Sequence, residues 1–408
     1  MTAPTSAFAP LRNRAFLLMW MANVLSNTGG WMQTTGAAWE MTTLTTEPIF
    51  VALLSAASTL PMFLFGFFAG VLADRFDRRR YIIVCQVWLM AVAATLAVLA
   101  FFGHLTHWNL VGLCFCMGLG NAMNGPAWQA VVPEVVPAHD LRPAIALNSA
   151  GFNLARMVGP VLGQVLLSLV GVFLLFTINT FAFVGVIVAM LSWRRPAEAR
   201  AAQRREGFGA AIVAGIRFVR GSGDLQSVLL RGLCFSVPAI AFGTLLPVIG
   251  RFELGLDEFW FGVLYAIFGA GAVAGAAVMS TVNRLLGPDR ANIWAMGICG
   301  AVTLACALVM TPWAVGVAAA VNGACWITVG ANNNTASQTI LPNFMRARGM
   351  AVHQMVFFGG IALGSLLWGK VATFFGIPAA LVAASLLLVP LTIVAANLRL
   401  PGSSSHRA

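Results

Sequence analysis

Gly70-Val71-Leu72-Ala73-Asp74-Arg75-Phe76-Asp77-Arg78-Arg79-Arg80 is the stretch that decides the fold of this 408-residue chain. A long apolar run precedes it and another follows. Its charged residues are expensive to place in hydrocarbon, so the chain has to surface here between two membrane spans. Arginine clusters between spans favour the cytoplasmic side, so one short loop fixes a membrane hairpin, its orientation and a compact charge network.

The composition agrees. The chain is 59% hydrophobic and 9% charged, where soluble domains are about a quarter charged. Twelve apolar runs approach the length that hydrocarbon requires: Phe16–Met41, Ile49–Ala73, Tyr81–Gly103, Trp108–Val131, Ala144–Ser168, Val172–Trp193, Leu225–Ile249, Trp260–Thr281, Ala291–Thr311, Trp313–Ile340, Met350–Phe374 and Pro378–Leu398. This predicts an all-α, multi-pass membrane protein of 12 transmembrane helices. A net charge of +11 suggests nucleic acid only until it is mapped. All but four of the 24 Lys and Arg residues fall on one side of these spans, the exceptions being Arg156, Arg231, Arg251 and Lys370. That asymmetry predicts cytoplasmic termini and no nucleic-acid partner. The first run is too long, and lacks the small-residue cleavage site, for a cleaved signal peptide.

The halves read as 1–193 and 225–408, two pseudo-symmetric six-helix bundles joined by a cytoplasmic linker, 194–224. Within the linker, Phe208–Val219 fits an interfacial helix or a plain solvated segment equally well. One constant offset lays Gln129-Ala-Val-Val-Pro133 on Gln338-Thr-Ile-Leu-Pro342, Asp74-Arg75 on Asn283-Arg284, and Asn124 on Asn333. Duplicated halves are the mark of transporters whose cargo sits between the repeats near the midplane. Asn283 replaces the acid, so the loop charges should be asymmetric.

No metalloprotease, nucleophile-elbow, Walker or dinucleotide motif occurs in a fitting context, so no catalytic residue and no cofactor are expected. The seven cysteines lie in apolar runs without a CxxC pair, which predicts packing rather than disulfides or metal. Gly66-x-x-x-Gly70, Gly159-x-x-x-Gly163, Gly271-x-x-x-Gly275 and Gly360-x-x-x-Gly364 lie in spans, where small residues let backbones approach. Arg156, well inside the fifth span, costs about 2.5–3.5 kcal/mol to insert and should face the interior. It binds an anionic cargo or answers a proton-carrying acid, or else bonds helix carbonyls and amides. Glu40 is the best embedded acid, either a proton carrier whose pKa rises with burial or a shallow, solvated group. Interior polarity comes otherwise from amides, among them Asn27, Gln33, Asn124, Asn153 and Asn333, and from His353, read as a satisfied interior group or a proton relay. The Trp and Phe residues are read as mostly lipid-facing or interfacial, with Trp20, Trp31, Phe235 and Phe242 as candidates to line an aromatic cavity. Such a cavity suits bulky, amphipathic, weakly charged cargo.

Gly-x-Leu-Ala-Asp-Arg-x-x-Arg-Arg from Gly70 resembles the loop signature of the major facilitator superfamily, which prefers glycine where Asp77 stands. Ala155-x-x-x-Gly159-Pro160-x-x-Gly163 resembles the fifth-helix motif of its exporters, which usually adds a second glycine where Gln164 stands. The stretch from Leu141 to Arg156, with Gly159-Pro160, is similar to the branch containing enterobactin exporters and macrolide efflux pumps, the transmembrane secretion effectors. The resemblance implies a bacterial inner-membrane efflux protein for small molecules, with protons as coupling ion. Gly70, Asp74, Arg75, Arg78 and Arg79 would latch the cytoplasmic face. Cargo would lie between the first, fourth, fifth, seventh, tenth and eleventh spans. A lipid translocator of the same fold and a non-transporting membrane sensor or assembly partner are the alternatives.

Overall fold

Hydrocarbon offers a backbone N–H or C=O no partner, so a spanning segment has to satisfy its own. The chain does so in helices. The computed structural model describes residues 8–193, 195, 217–342 and 346–398. Among these residues run α1 (Arg14–Leu44), α2 (Pro48–Arg75), α3 (Arg78–Phe101), α4 (His107–Val135), α5 (Leu141–Ser192), α6 (Gly223–Val248), α7 (Glu258–Val309), α8 (Pro312–Ile340), α9 (Arg346–Phe375) and α10 (Ile377–Asn397). Most of the expected interfacial segment Phe208–Val219 lies outside the described residues.

Polar side chains set the helix starts. Thr106 and Asn109 form a reciprocal capping box at α4, with Thr106 N–H to Asn109 Oδ1 at 2.8 Å. Asp257 accepts from Trp260 N at 2.9 Å at α7, and Thr311 followed by Pro312 opens α8. Each such cap satisfies a donor that the first turn leaves free. α5 and α7 are each 52 residues long and each is broken once. Gly171 (φ 77°) interrupts α5 and Gly287 (φ 78°), followed by Pro288, interrupts α7. A left-handed φ costs glycine nothing, and proline cannot continue the preceding helix. The breaks fall in the expected gaps before Val172 and Ala291. The first arm of α7 nevertheless runs past Thr281, where the hydropathy of the span fades, because the helix ends at Gly287 rather than at the last apolar residue.

Eight of the ten stretches are long and apolar enough to cross a membrane by length and composition. α1 and α4 are not among them, since Asn23, Asn27, Gln33 and Glu40, and Asn121, Asn124, Gln129 and Glu134, dilute their hydropathy.

The chain packs as two compact units, Met1–Glu40 with Phe68–Gly207, and Met41–Phe67 with Phe208–Ala408. Most of α2 thus packs with the second unit, a cut that differs from one drawn at the linker. Ser55 on α2 hydrogen-bonds Ser365 on α9 at 3.0 Å, and Ser365 also meets Thr244 on α6 at 2.9 Å. Gly369 of α9 lies against Ala52.

Glycines set the helix spacing within each unit. In the first, a methyl on Gly159 would fall 2.6 Å from Trp31 Cβ and 2.9 Å from the Thr28 carbonyl, and one on Gly163 2.8 Å from Met32 Cα. In the second, Gly271 and Gly323 lie against the backbones of Ala320 and Phe268, tying the first arm of α7 to α8. Gly360 and Gly364 bring α9 onto Ser236 and Val237 of α6. A methyl on Gly70 would meet nothing within 4 Å among the described residues. All seven cysteines are free thiols, six of them buried.

Gly323→Ala should lower stability by about 1–3 kcal/mol, because its new methyl meets backbone that cannot move aside. Gly330→Ala, on the same helix with open space around it, should be neutral or stabilise by about 0.5–1 kcal/mol through lost unfolded-state freedom. Thermal unfolding of the two variants in detergent measures the contrast.

Candidate functional site

Three helix ends of the first unit converge on one cluster of charge. Asp77 caps α3 by accepting from Arg80 N at 3.1 Å. Arg78 donates to Glu134 Oε1 at 2.7 Å and to the Ala130 carbonyl at 3.2 Å, both at the end of α4. Arg195, just past α5, grips Glu134 through two bonds of 2.6 and 2.7 Å and reaches Asp77 Oδ2 at 3.2 Å. Its side chain is 1% exposed and that of Glu134 8%. The hydrogen bonds to Glu134 raise the Arg195 pKa, burial opposes them, and Asp77 adds to the rise. Arg79 donates to the Met190 and Leu191 carbonyls, both at 2.7 Å, where the end of α5 leaves acceptors unfilled. Arg75 and Arg80 are exposed, and the Asp74 side chain lies outside the described residues.

Glu134 and Arg195 were not legible as site residues. Glu134 ends an apolar run after Pro133, which is a faint signal, and Arg195 is one of a pair that sequence cannot rank. Asp77 is better legible in hindsight. It stands where the superfamily prefers glycine, and that departure supplies both the cap and the second acid for Arg195.

The fifth-helix motif forms the α1–α5 contact. Ala155, Gly159, Pro160 and Gly163 are buried, and the two glycines lie directly against α1. Pro160 has no N–H, so the Arg156 carbonyl lacks its helical donor and the helix is loosened there. Arg156 is half-buried, with its guanidinium carbon 5.8 Å from the centre of the Trp31 ring. Phe152, one turn earlier, meets Trp31 edge-on at 6.3 Å. Gln164 is fully buried, and neither amide atom has a hydrogen-bond partner among the described residues.

The remaining candidates fall into separate clusters. In the first unit Gln33 is buried and accepts from Asn179, while Asn27 and Asn153 each bond a carbonyl of their own helix, Asn23 and Ser149. Asn124 Oδ1 is buried without a partner among the described residues, and Glu40 is half-buried near the end of α1. Trp20 donates to the Leu147 carbonyl at 2.9 Å. In the second unit Asn333 accepts from Asn292 at 3.0 Å, Asn292 from Asn332 at 2.9 Å, and Asn332 exchanges bonds with Asn283. The position aligned with Asp74 therefore joins an amide network and not an ion pair. Arg231 pairs with Asp289 and donates to the Leu398 carbonyl at 2.7 Å. His353 meets Ser337 Oγ at 3.0 Å through Nδ1 and stacks on Phe357.

One expectation is corrected outright. Phe235 and Phe242 are 0% and 1% exposed, packed among helices rather than lining a cavity, because an apolar ring gains as much from a neighbouring helix as from cargo. No group of three or more His, Cys, Asp or Glu among the described residues is arranged to hold a metal ion.

Long apolar helices, glycine contacts between them and a charge clasp at their ends define a polytopic membrane protein. The chain belongs to the transmembrane secretion effector family, which it matches over residues 5–408. It is 24% identical over 250 residues to macrolide efflux protein A of Enterococcus faecalis, covering 60% of this chain and 77% of that one. It is 25% identical over 393 residues to the multidrug efflux pump Tap of Mycolicibacterium fortuitum, covering 93% and 94%. Its fold matches that of a bacterial homologue of the human lysosomal transporter Spinster with a TM-score of 0.75 at 14% identity, over 95% of this chain and 98% of that one. These are transporters and not enzymes.

Glu134→Gln should destabilise the protein by about 3–5 kcal/mol, since it leaves the Arg195 guanidinium buried without its main counter-charge. Asp77→Ala should cost about 1 kcal/mol, the loss of a cap at a partly exposed acid. Thermal unfolding of each variant, completed by Arg195→Gln and the Glu134→Gln/Arg195→Gln double mutant, separates the pair energy from the cost of the orphaned charge.

Proposed function

We propose that the protein exports small amphipathic molecules of drug or siderophore type across the bacterial inner membrane, exchanging them for protons by alternating access. The observation that carries this reading is the family match, extended by likeness to a multidrug efflux pump along nearly the whole of both chains. In this reading α5 and α7 each cross twice, making twelve crossings, six in each half, 1–193 and 225–408, with 194–224 and both termini in the cytoplasm.

The parts fit that task. Alternating access needs helices that rock without losing their packing, and the Gly159, Pro160 and Gly163 face of α5 gives a smooth contact beside a loosened turn. Gly70, Asp74, Arg75, Arg78 and Arg79 serve as the cytoplasmic latch. In this role Arg78 and Arg79 anchor the loop to α4 and α5, while the exposed Arg75 stays available. Glu40 carries the coupling proton. A membrane potential supplies about 2.3 kcal/mol per charge per 100 mV, enough to concentrate cargo outside when each molecule is exchanged for a proton.

Everted vesicles containing the protein should take up a macrolide or an iron-free siderophore when energised, and a protonophore should abolish that uptake. Glu40→Gln should bind cargo yet lose uptake driven by a pH gradient, and undiminished transport would remove Glu40 from the mechanism. Asp74→Asn should slow turnover more than it weakens binding.

A further inference from the structure

Two arginines, Arg156 and Arg231, sit inside the apolar spans, and the chain treats them differently. Arg231 is 1% exposed and is answered by Asp289 and the Leu398 carbonyl. Arg156 has neither an ion pair nor a hydrogen bond among the described residues; its one contact of note is the face of Trp31. An intramembrane charge is retained when something in the interior answers it. A cation over an indole ring is only partly answered, because the ring carries no formal charge and satisfies none of the five guanidinium donors.

The surroundings say what the missing partner is. The guanidinium fork matches a planar carboxylate with two parallel bonds. Beside it Phe152 and Trp31 form an edge-to-face platform, and neither ring is fully buried. Asn153, the residue after Phe152, is exposed and donates to its own helix, which leaves its carbonyl oxygen as an acceptor. Arg156 lies roughly 20 Å along α5 from Leu141 at a rise of 1.5 Å per residue, a depth that a lipid headgroup does not reach.

We propose that Arg156, with Trp31 and Phe152 beside it, is the recognition point for the anionic group of the cargo, a carboxylate carried on an aromatic or otherwise apolar body. This rests on the efflux reading above and narrows its substrate class. A cationic amphiphile would meet an uncompensated positive charge at the same place and be disfavoured.

Dansylglycine and dansylcadaverine carry one fluorophore with opposite charge, and their binding to the full chain in phosphatidylcholine nanodiscs tests the assignment without an anionic lipid to compete. The wild-type protein should hold dansylglycine about tenfold or more tighter than dansylcadaverine. Arg156→Gln should weaken dansylglycine by about tenfold or more, the range for hydrogen bonds to a charged group, without weakening dansylcadaverine. Arg156→Lys should keep part of the preference, having the charge but not the fork. Trp31→Leu should weaken both probes. Arg156→Gln should also melt no lower than the wild type, because it removes a charge that the fold leaves unpaired. Equal affinity for the two probes, failure to bind either, or an Arg156→Gln variant that loses both alike and melts lower would each overturn the proposal. Selective binding of dansylglycine by a protein that moves no cargo in vesicles would keep the site and reject efflux; flux without anion preference would do the reverse.

Discussion

Between two helices in lipid there is little hydrophobic force, because the lipid tails are as apolar as the side chains they would replace. Association then depends on how closely backbones approach and on the few polar bonds that cross. The architecture of each unit follows from this constraint. Gly159 and Gly163 lay α5 on the Thr28–Met32 stretch of α1, and Gly271 and Gly323 do the same for α7 and α8. Where a methyl would collide with backbone, no larger residue gives the same dispersion contact. The residues that look least specific in the sequence therefore set its interaxial distances.

Charge follows the same economy. At the helix ends, where water is near, Asp77, Arg78, Glu134 and Arg195 form a clasp that joins the starts and ends of three helices. Arg79 reads the C-terminal carbonyls of α5, a use of the helix dipole as much as of hydrogen bonds. The second unit combines one ion pair, Arg231 with Asp289, with a chain of neutral amides, Asn283, Asn292, Asn332 and Asn333. An amide chain neither titrates nor weakens in salt, whereas an ionic clasp responds to both. The first unit's clasp is wholly ionic and the second unit's is mixed.

Departures from the superfamily pattern mark where this chain is individual. Asp77 in place of glycine adds a cap and an acid. Gln164 in place of the second glycine puts an amide with no partner among the described residues into a fully buried position of the kinked helix, and nothing in the structure explains it. His353 is held by Ser337 and Phe357, so its ring orientation is set by the second unit's own packing.

Hydropathy and arginine placement by themselves determined an all-helical membrane chain, because burying charge in hydrocarbon costs far more than any packing term returns. Gly171 and Gly287 were readable as breaks for a similar local reason: the residues around them span too great a length for one crossing. What required tertiary structure was every statement about partners. Glu134 finding Arg195, Arg231 finding Asp289 and Arg156 meeting the Trp31 ring depend on the rotation of each helix about its axis. A helix apolar on all sides carries almost no periodic signal of that rotation. Tertiary packing decides it, through contacts between residues far apart in the chain.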